Sequence, residues 1–356
     1  MTPGDSAPPR MPAEWEPHQS TWISWPHHEP DWPGKLEAVT WVYAEIARAL
    51  ARSERVEILF NDESSRDLAA GHLAAHHVDP ERFRLHIVPT DRVWLRDAGP
   101  TAVVRDGSVH WIGWEFNAWA KYDNYSLDAQ VPDAIAGISG LPLTRAQRPD
   151  RAGPLVLEGG GLETNGAGTL LVTEEWLLSN VQVRNPGMTR KQYEDAFARY
   201  LGITRTVWLG EGCVGDDTHG HIDDVARFTS VDTVALAYEE DPADENHVRS
   251  RDNLRRLQHA SGERPLHVVK LPFPEPVMMR GERLPASYAN FYVCNNSVLV
   301  PTFNDPADRI AMHTLADLFP GRRIVGIHAT DLVWGLGTIH CLTQQQPKAH
   351  HGPQRT

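Results

Sequence analysis

Four pairs of short strands, each joined by a tight polar turn, recur along this chain at a nearly constant interval. The turns centre on residues 106, 166, 231 and 295, so consecutive turns lie about 60–65 residues apart. Asp-Gly and Asn-Gly are strong hairpin signals, because both residues tolerate positive φ. The regular interval predicts repeated modules of one kind. The hairpins are expected at Thr101–Ile112, Gly161–Thr173, Val225–Tyr238 and Ala289–Thr302.

A helix and a further strand are expected after each hairpin. The helix that begins at Lys191 follows a capping box over Thr189–Gln192, and Asp305-Pro306 provides an N-cap and a first-turn proline. Short β-branched runs indicate buried strands. The strands are expected at Leu85–Val88, Leu141–Thr144, Thr206–Leu209, Leu266–Leu271 and Arg323–Ile327. The helices are expected at Leu36–Ala51, Ser64–His76, Lys191–Leu201, Ala243–Ala260 and Ala307–Leu318.

The repeated unit is therefore hairpin, helix, strand, and a chain of 356 residues has room for five such units. This order predicts an α/β fold. A closed ring of modules is favoured over an open stack, because no terminal unit has the polar outer face of a cap. We expect a single domain over residues 11–347, with poorly structured tails at residues 1–10 and 348–356.

Composition narrows the classes of partner and compartment. The formal net charge of −13 argues against nucleic acid, which requires a basic face. No apolar run reaches the roughly 18 residues that a membrane-spanning helix needs, so no membrane partner is expected. The N-terminal segment does not have the pattern of a secretory signal. Three widely spaced cysteines, Cys213, Cys294 and Cys341, argue against a disulfide framework, and the cytoplasm is the expected location.

Reactive side chains lie in the loops just before strands of these modules. Asp97 and Glu158 each precede a hairpin, His221 and Asp223 precede the third, and Cys341 follows a glycine-rich bend near the C-terminus. In a ring of similar modules, equivalent loops meet at the axis. We therefore expect these five side chains to surround one site, with Cys341 as an exposed nucleophile rather than core filler.

A flat cation suits this set of side chains. Carboxylates that face a common space repel one another unless a cation neutralises them, and a guanidinium matches them in shape and charge. Its central carbon stays open to a thiolate, and His221 has the pKa range of a general acid and base. Two alternatives remain: a lone cysteine is often a small buried hydrophobe, and His219, His221 and Asp223 have the spacing of metal ligands in a hydrolase.

Several motifs, in order along the chain, resemble one family. They are Met11–His18, Trp94–Pro100, Phe116–Trp119, Lys121–Asn124, Leu157–Gly160, Gly220–Asp223 and Ile339–Gln345. These motifs extend from residue 11 to the end of the 11–347 segment. They resemble the agmatine deiminase family, also called the bacterial-type (Porphyromonas-type) peptidylarginine deiminase family. The loop Gly335-Leu336-Gly337-Thr338 departs from the Gly-Gly-Gly-Asn common in agmatine deiminases, which bears on the substrate's tail and not on the reaction.

The resemblance implies a five-bladed α/β propeller, the pentein fold of guanidine-modifying enzymes, as a single catalytic domain. It also implies a covalent mechanism without metal or cofactor. Cys341 would be the nucleophile that forms a thiouronium intermediate, and His221 would be the general acid and base. Asp97 and Asp223 would hold the guanidinium nitrogens. The residues expected to bind the rest of the substrate are Trp94, Glu158, Asp217 and Gly337.

The implied substrate is a small cationic guanidino compound. Agmatine would give N-carbamoylputrescine and ammonia, a step toward putrescine in polyamine metabolism. Free arginine, peptidyl-arginine or another alkylguanidine is the alternative within this class. A substrate with an α-carboxylate would need an arginine at the pocket rim, for which Arg96 and Arg227 are candidates. Cys213 and Cys294 are expected to be inert, and a homo-oligomer is left open.

Overall fold

Short strands alternate with helices throughout the computed structural model, which describes residues 8–76, 79–260 and 265–349. The strands are β1 (His18–Ser24), β2 (Arg55–Phe60), β3 (Phe83–Ile87), β4 (Thr101–Arg105), β5 (Ser108–Gly113), β6 (Leu143–Arg145), β7 (Glu163–Thr164), β8 (Thr169–Thr173), β9 (Arg205–Leu209), β10 (Ala226–Phe228), β11 (Thr233–Ala237), β12 (His267–Leu271), β13 (Met278–Met279), β14 (Glu282–Arg283), β15 (Tyr292–Val293), β16 (Ser297–Thr302), β17 (Arg323–His328) and β18 (Gln344–Pro347). The α-helices are α1 (Leu36–Ala51), α2 (Glu63–Ala75), α3 (Leu95–Ala98), α4 (Val131–Ser139), α5 (Glu174–Leu178), α6 (Arg190–Leu201), α7 (Glu245–His259), α8 (Pro306–Leu318) and α9 (Ile339–Leu342).

The same module occurs four times in succession. In each, two antiparallel strands form a hairpin, one or more helices follow, and a third strand pairs in parallel with the second. These modules are β4–β6, β7–β9, β10–β12 and β15–β17. All four hairpins and the hairpin-helix-strand order predicted from the sequence are confirmed. Helix α4, which completes the first of these modules, was not predicted.

The fifth module is built from both ends of the described chain. Strand β18 pairs antiparallel with β1, and Thr21 lies opposite Gln345. Helix α1 then connects β1 to the parallel strand β2, so the module has the same order as the other four. Helix α2 and the parallel strand β3 extend this sheet to four strands. The sequence predicted no strand at Gln344–Pro347.

Neighbouring sheets contact one another in a closed order. Strand β18 contacts β4, and the β4–β6 and β7–β9 sheets share an apolar cluster that includes Val103 and Leu170. Strand β7 contacts β10, whose Arg227 donates to the carbonyl of Phe291 next to β15. Helix α1 of the fifth module contacts β16 and β17, which closes the order of contacts. A five-bladed propeller requires this order of contacts, which supports the predicted ring.

Helix caps fix several of the module boundaries. The side chain of Thr189 accepts a hydrogen bond from the backbone N–H of Gln192 at the start of α6, and a capping box is complete there. Helix α6 ends at Gly202 with a φ of 71°, a left-handed conformation that favours glycine. Asp305 caps α8 in the same way, with Pro306 in its first turn. The capping signals therefore predicted both helix starts to within one residue.

The ends of the 11–347 segment are tied to the fold. The backbone N–H of Arg10 donates to Val104 over 2.9 Å, and that of Lys348 donates to Pro17 over 2.8 Å. The predicted tails lie mostly outside the described residues, at residues 1–7 and 350–356. Within the described ranges, no helix has both the length and the apolar character that crossing a membrane would require.

Candidate active site

A cavity of about 240 Å³ brings together loops from several modules. Cys341 and Asp97 lie on its wall with the predicted Trp94, Asp217 and Gly337. The other lining residues are Pro30, Asp31, Arg92, Trp119, Tyr122, Thr218, Met279, Trp334, Gly335 and Leu336. The loop that departs from the family pattern, residues 335–337, therefore borders this cavity.

Cys341 lies in the short helix α9, which follows a sharp bend of the chain at residues 336 and 337. Leu336 has a φ of 68°, and a Cβ added at Gly337 would come within 2.8 Å of the Trp94 ring and 3.0 Å of the Cys341 Cβ. A glycine is thus needed for the chain to pass between the two side chains. Cys341 is buried rather than exposed as expected, with 6% of the residue accessible, but it lines the cavity, so a small molecule there can approach it.

Carboxylates surround the sulfur atom. Burial raises the pKa of the Cys341 thiol well above its usual range, and the nearby charges of Asp223, Asp224 and Asp97 raise it further. The Sγ atom lies 3.6 Å from Oδ2 of Asp223. The thiol is therefore protonated at neutral pH until a cation enters and offsets these charges.

His221 lies between two carboxylates. Its Nδ1 is 3.6 Å from Oδ1 of Asp97, and its Nε2 is 3.5 Å from Oε2 of Glu158. Burial would lower the pKa of His221, but the charges of Asp97 and Glu158 outweigh burial and raise it to about 9. At neutral pH the ring is an imidazolium, the form that can donate a proton.

Asp97 is held in place by two hydrogen bonds. Trp119 Nε1 donates to its Oδ2 over 2.8 Å, and the backbone N–H of Gly160 donates to Oδ1 over 3.0 Å. A Cβ on Gly160 would lie 2.6 Å from Nδ1 of His221 and 2.7 Å from Oδ1 of Asp97. Burial, with the charges of Asp223 and Glu158, raises the pKa of Asp97 to about 6, although His221 opposes the rise.

Buried polar contacts connect Asp223 through His340 and Glu14 to Arg227. His340 Nδ1 donates to Oδ2 of Asp223 over 2.8 Å, and His340 Nε2 lies 2.8 Å from Oε2 of Glu14. Glu14 in turn pairs with Arg227 over 2.9 Å. Burial opposes ionisation of Asp223, but the hydrogen bond from His340 and the nearby charges of His221 and Arg227 together outweigh burial and lower the pKa of that carboxyl. Asp223 is therefore an anion in this site.

Glu158 contacts His221 in the buried part of the site. Its side chain is fully buried, Arg184 Nε donates to Oε1 over 3.0 Å, and Trp176 Nε1 donates to Oε2 over 2.6 Å. Like His221 and Asp223, it is not among the residues that line the cavity. The structure thus places Glu158 where it charges His221, and its role in substrate binding stays a prediction.

Two buried polar atoms of the predicted catalytic side chains have no hydrogen-bond partner among the described residues: Nδ1 of His221 and Oδ1 of Asp223. The same holds for Oδ2 of Asp31 and Nε of Arg92 in the cavity wall. Within the residues that the structure describes, Asp97 and Asp223 each form an ion pair with a histidine and with no lysine or arginine. Unpaired buried polar groups are costly, so such atoms mark a place where a ligand supplies the missing partner. The site has an excess of negative charge beside its thiol.

The far end of the cavity carries two ion pairs. Asp217 pairs with Lys121 and accepts a hydrogen bond from the Tyr122 hydroxyl over 2.8 Å. Asp31 pairs with Arg92 over 2.5 Å, and the Arg92 guanidinium lies over the Tyr122 ring. Carboxylates and cations are therefore both available to a polar group on the substrate's tail.

Arg96 and Arg227, the two candidates for a carboxylate at the pocket rim, are both engaged inside the protein. Arg96 donates to the Gln345 side chain over 2.8 Å and lies near Glu14. Arg227 pairs with Glu163 and Glu14 and donates to two backbone carbonyls. This part of the sequence interpretation is wrong, because the buried acids that enclose these guanidiniums lie far away in the chain.

The ligand atoms of the alternative metal site do not converge. His219 Nε2 contacts the Ser179 hydroxyl, and the ring lines a separate groove of about 810 Å³. Among the described residues, the group that could hold an ion is Asp223, Asp224 and Cys341, and it contains neither histidine. The set His219, His221 and Asp223 is therefore not assembled as that reading requires.

Sequence reasoning missed several residues that contact the predicted ones. Asn290 donates to Sγ of Cys341 over 3.0 Å, and its amide also donates to Asp224. The other residues in direct contact with the site are Glu14, Arg184 and His340. Two of them could have been found from a weak signal, since Glu14 and His340 lie inside the family motifs.

Comparison with solved structures defines the class of protein. The chain superimposes on the agmatine deiminase of Enterococcus faecalis with a TM-score of 0.87 at 30% identity, covering 96% of each chain. A C. jejuni agmatine deiminase variant with substrate bound gives a TM-score of 0.86 at 26% identity, covering 98% of this chain and 99% of that one. The α/β fold is therefore that of the deiminases that act on guanidino compounds.

Sequence comparison gives the family. The Porphyromonas-type peptidyl-arginine deiminase family matches residues 10–347, and the chain belongs to this family. A curated protein of Marinomonas sp. strain MWYL1, which carries the provisional name agmatine deiminase, is 34% identical over 95% of this chain and 94% of its own length. The family predicted from the sequence motifs is confirmed.

Proposed function

We propose that this protein is a guanidine deiminase that converts agmatine to N-carbamoylputrescine and ammonia, as a step toward putrescine. Residues 11–347 form the single catalytic domain, and the cytoplasm is the proposed location. Activity on agmatine is the function named for the Enterococcus faecalis and C. jejuni structures that the chain resembles over nearly its full length.

The charge balance around Cys341 is the observation that carries the proposal. Asp97 and Asp223 flank the sulfur, and the part of the chain that the structure describes pairs neither with a lysine or arginine. A guanidinium provides the missing positive charge and offers planar N–H donors to both carboxylates. Its arrival lowers the pKa of the thiol, so the substrate itself helps to form the nucleophile.

The reaction then follows from the positions of the side chains. As the guanidinium binds, the Cys341 thiol releases its proton to solvent. The thiolate attacks the central carbon, a C–S bond forms, and the guanidinium becomes a neutral tetrahedral adduct. The His221 imidazolium donates a proton to one NH₂ group, the C–N bond breaks, and ammonia leaves a cationic thiouronium. Neutral His221 next takes a proton from water as the oxygen attacks the carbon. The C–S bond breaks, the electron pair returns to Sγ, and the hydroxyl proton is taken up by ammonia as the urea forms.

The tail of the substrate decides between agmatine and arginine. Asp217 and Asp31 at the far end of the cavity suit the ammonium of agmatine, although each is already paired with a cation. The two arginines expected to bind an α-carboxylate are engaged elsewhere. Arg92 also lines the cavity, so the preference for agmatine over free arginine rests on the similar structures that are named as agmatine deiminases.

The test measures ammonia released from agmatine, free arginine and a blocked arginyl peptide under identical conditions. We expect agmatine to give the highest kcat/KM, and the Cys341→Ala variant to lose turnover by at least about 10⁴-fold because no covalent intermediate can form. Cys294→Ala is the matched control, since Cys294 is buried and burial raises the pKa of its thiol to about 12. Wild-type rates in Cys341→Ala would refute the mechanism, and higher kcat/KM on arginine would refute the substrate.

A chelator separates the thiol mechanism from the metal-dependent alternative. The proposed steps use no metal, so prolonged treatment with EDTA is expected to leave ammonia release from agmatine unchanged. A loss of activity that added zinc or manganese restores would favour a metal-dependent hydrolase instead.

A further inference from the structure

The nucleophile has a hydrogen-bond partner that the mechanism above does not use. Asn290 lies in the segment between β14 and β15 and is fully buried. Its Nδ2 is 3.0 Å from Sγ of Cys341 and 3.0 Å from Oδ1 of Asp224. The two amide hydrogens of one asparagine thus match two acceptors, and one of these is the reacting sulfur.

The orientation of this amide follows from its other contacts. Oδ1 of Asn290 faces the backbone N–H of His340 at 3.0 Å and that of Cys341 at 3.4 Å, and it accepts a hydrogen bond from the Thr338 hydroxyl. A backbone N–H can only donate, so the atom that faces it must be the oxygen. The nitrogen is therefore the atom that faces the sulfur.

We propose that Asn290 is a catalytic residue that stabilises the anionic sulfur of Cys341 by donating a hydrogen bond from Nδ2. This inference rests on the proposed function, in which Cys341 is the nucleophile. It assigns to this site an uncharged donor that stabilises the thiolate once the bound guanidinium has lowered the pKa of the thiol, and again when the thiolate is expelled. A hydrogen bond to a charged group is worth more than a neutral one.

The charges near the sulfur explain why a neutral donor is needed. Asp223, Asp224 and Asp97 all disfavour the thiolate. A lysine or arginine in the place of Asn290 would pair with Asp97 or Asp223 and occupy the position of the guanidinium. An amide stabilises the sulfur without competing for the substrate's carboxylates.

The amide of Asn290 also has a structural role at the start of α9. Its oxygen holds the backbone of His340 and Cys341, and with it the start of α9. A merely structural role would use this oxygen and the hydrogen bond to Asp224, and would not depend on the contact between Nδ2 and Sγ. The two roles therefore predict different results for a substitution that changes the nitrogen alone.

Asn290→Asp is that substitution, because it has nearly the same shape and keeps an oxygen toward His340 and Cys341. The assay follows alkylation of Cys341 in the free enzyme by iodoacetamide between pH 6 and 10, with peptide mass analysis to separate the three cysteines. We expect the alkylation profile to move to higher pH by at least about one unit and kcat on agmatine to fall about 10- to 100-fold, the loss of one hydrogen bond to a charged group.

Asn253→Ala is the matched control, since this buried amide bonds only the backbone of residues 210 and 211, away from the sulfur. Its alkylation profile is expected to coincide with that of the wild type. If Asn290→Asp does not fold, as judged by circular dichroism, Asn290→Ala removes both amide atoms without adding a carboxylate, and Thr338→Val, which loses only the hydroxyl that donates to the amide oxygen, shows how much of its shift comes from that side.

An alkylation profile and a kcat unchanged in the Asn290 variants would overturn the proposal. The alkylation measurement needs no substrate, so it stands apart from the proposed function. If the profile of Asn290→Asp is shifted but the wild-type enzyme releases no ammonia from any guanidine, the proposed function is refuted and Asn290 remains the donor to the sulfur.

Discussion

Arg184 and Glu158 form a buried ion pair, and removal of either partner is expected to destabilise the protein. We expect a larger loss of stability when Arg184 is replaced than when Glu158 is replaced. Both side chains are fully buried. Burial would raise the pKa of Glu158, but Arg184 and His221 outweigh it and lower the pKa from 4.5 to about 2. Each pKa unit corresponds to about 1.36 kcal/mol. The ionised carboxylate therefore contributes about 3 kcal/mol to stability at neutral pH.

The sign of this contribution sets its pH range. The pKa of Glu158 is lower in the folded protein, so the contribution is complete above about pH 4.5 and is lost as the pH falls toward 2. At pH 7, Arg184→Met leaves a buried carboxylate without its cation, which costs about 3–5 kcal/mol. In Glu158→Gln, Arg184 keeps its hydrogen bonds to the carbonyls of Gln182 and Thr218, so we expect a smaller loss.

Urea unfolding at pH 7 of the two single variants and of the double variant measures the coupling between the partners. We expect the double variant to be more stable than Arg184→Met, because removing the second charge relieves the first defect. Arg145→Met is the control, since its partner Asp133 is largely exposed and such pairs contribute at most about 1 kcal/mol. A loss below about 1 kcal/mol in Arg184→Met, or strictly additive effects, would refute the reasoning.

Two further predictions concern the pH profile and the substrate's tail. His221, the proposed general acid, loses its proton as the pH rises through about 9, so kcat on agmatine is expected to fall there. In Glu158→Gln this alkaline limb of the kcat–pH profile should move to lower pH, because a charge that raises the pKa of His221 is gone. An unmoved limb in the kcat–pH profile would contradict this assignment. Asp217→Asn is expected to raise KM for agmatine about tenfold with little change in kcat, whereas Asp133→Asn, far from the cavity, should change neither. A lower kcat at unchanged KM in steady-state assays would show that Asp217 does not bind the tail.

The sequence predicted the modules well where local chemistry determines them. Asp106-Gly107 and Asn165-Gly166 each predicted a hairpin that the structure contains, because their turns need positive φ and few other residues tolerate it. Strand β18 was missed for the opposite reason. Its glutamines have no strand preference of their own, and they form a strand by pairing with β1, which lies more than 300 residues earlier.

The site was predicted where its residues lie in recognisable local motifs, and it was misread where long-range contacts decide. Cys341, His221, Asp97 and Asp223 lie within short motifs of reactive residues, and the structure brings them together. Arg227 was misread because a buried arginine and a rim arginine look alike in sequence. Only the fold shows that Glu14 and Glu163 enclose it.

Asn290 could not be predicted from its surroundings in the chain. Its partner Cys341 is 51 residues away, and an asparagine before a strand is usually a turn residue. The side chains that complete a site by long-range contact are therefore the ones that sequence motifs leave out.

The pairing of β18 with β1 has a consequence for how the protein is made. A ribosome releases β1 early, yet the strand that borders it emerges only after residue 347 has been synthesised. The β18-β1-β2-β3 sheet therefore lacks this edge until synthesis is nearly complete, and Cys341, the proposed nucleophile, is synthesised just before the same strand. A chain interrupted before residue 341 would lack both the edge strand and the proposed nucleophile.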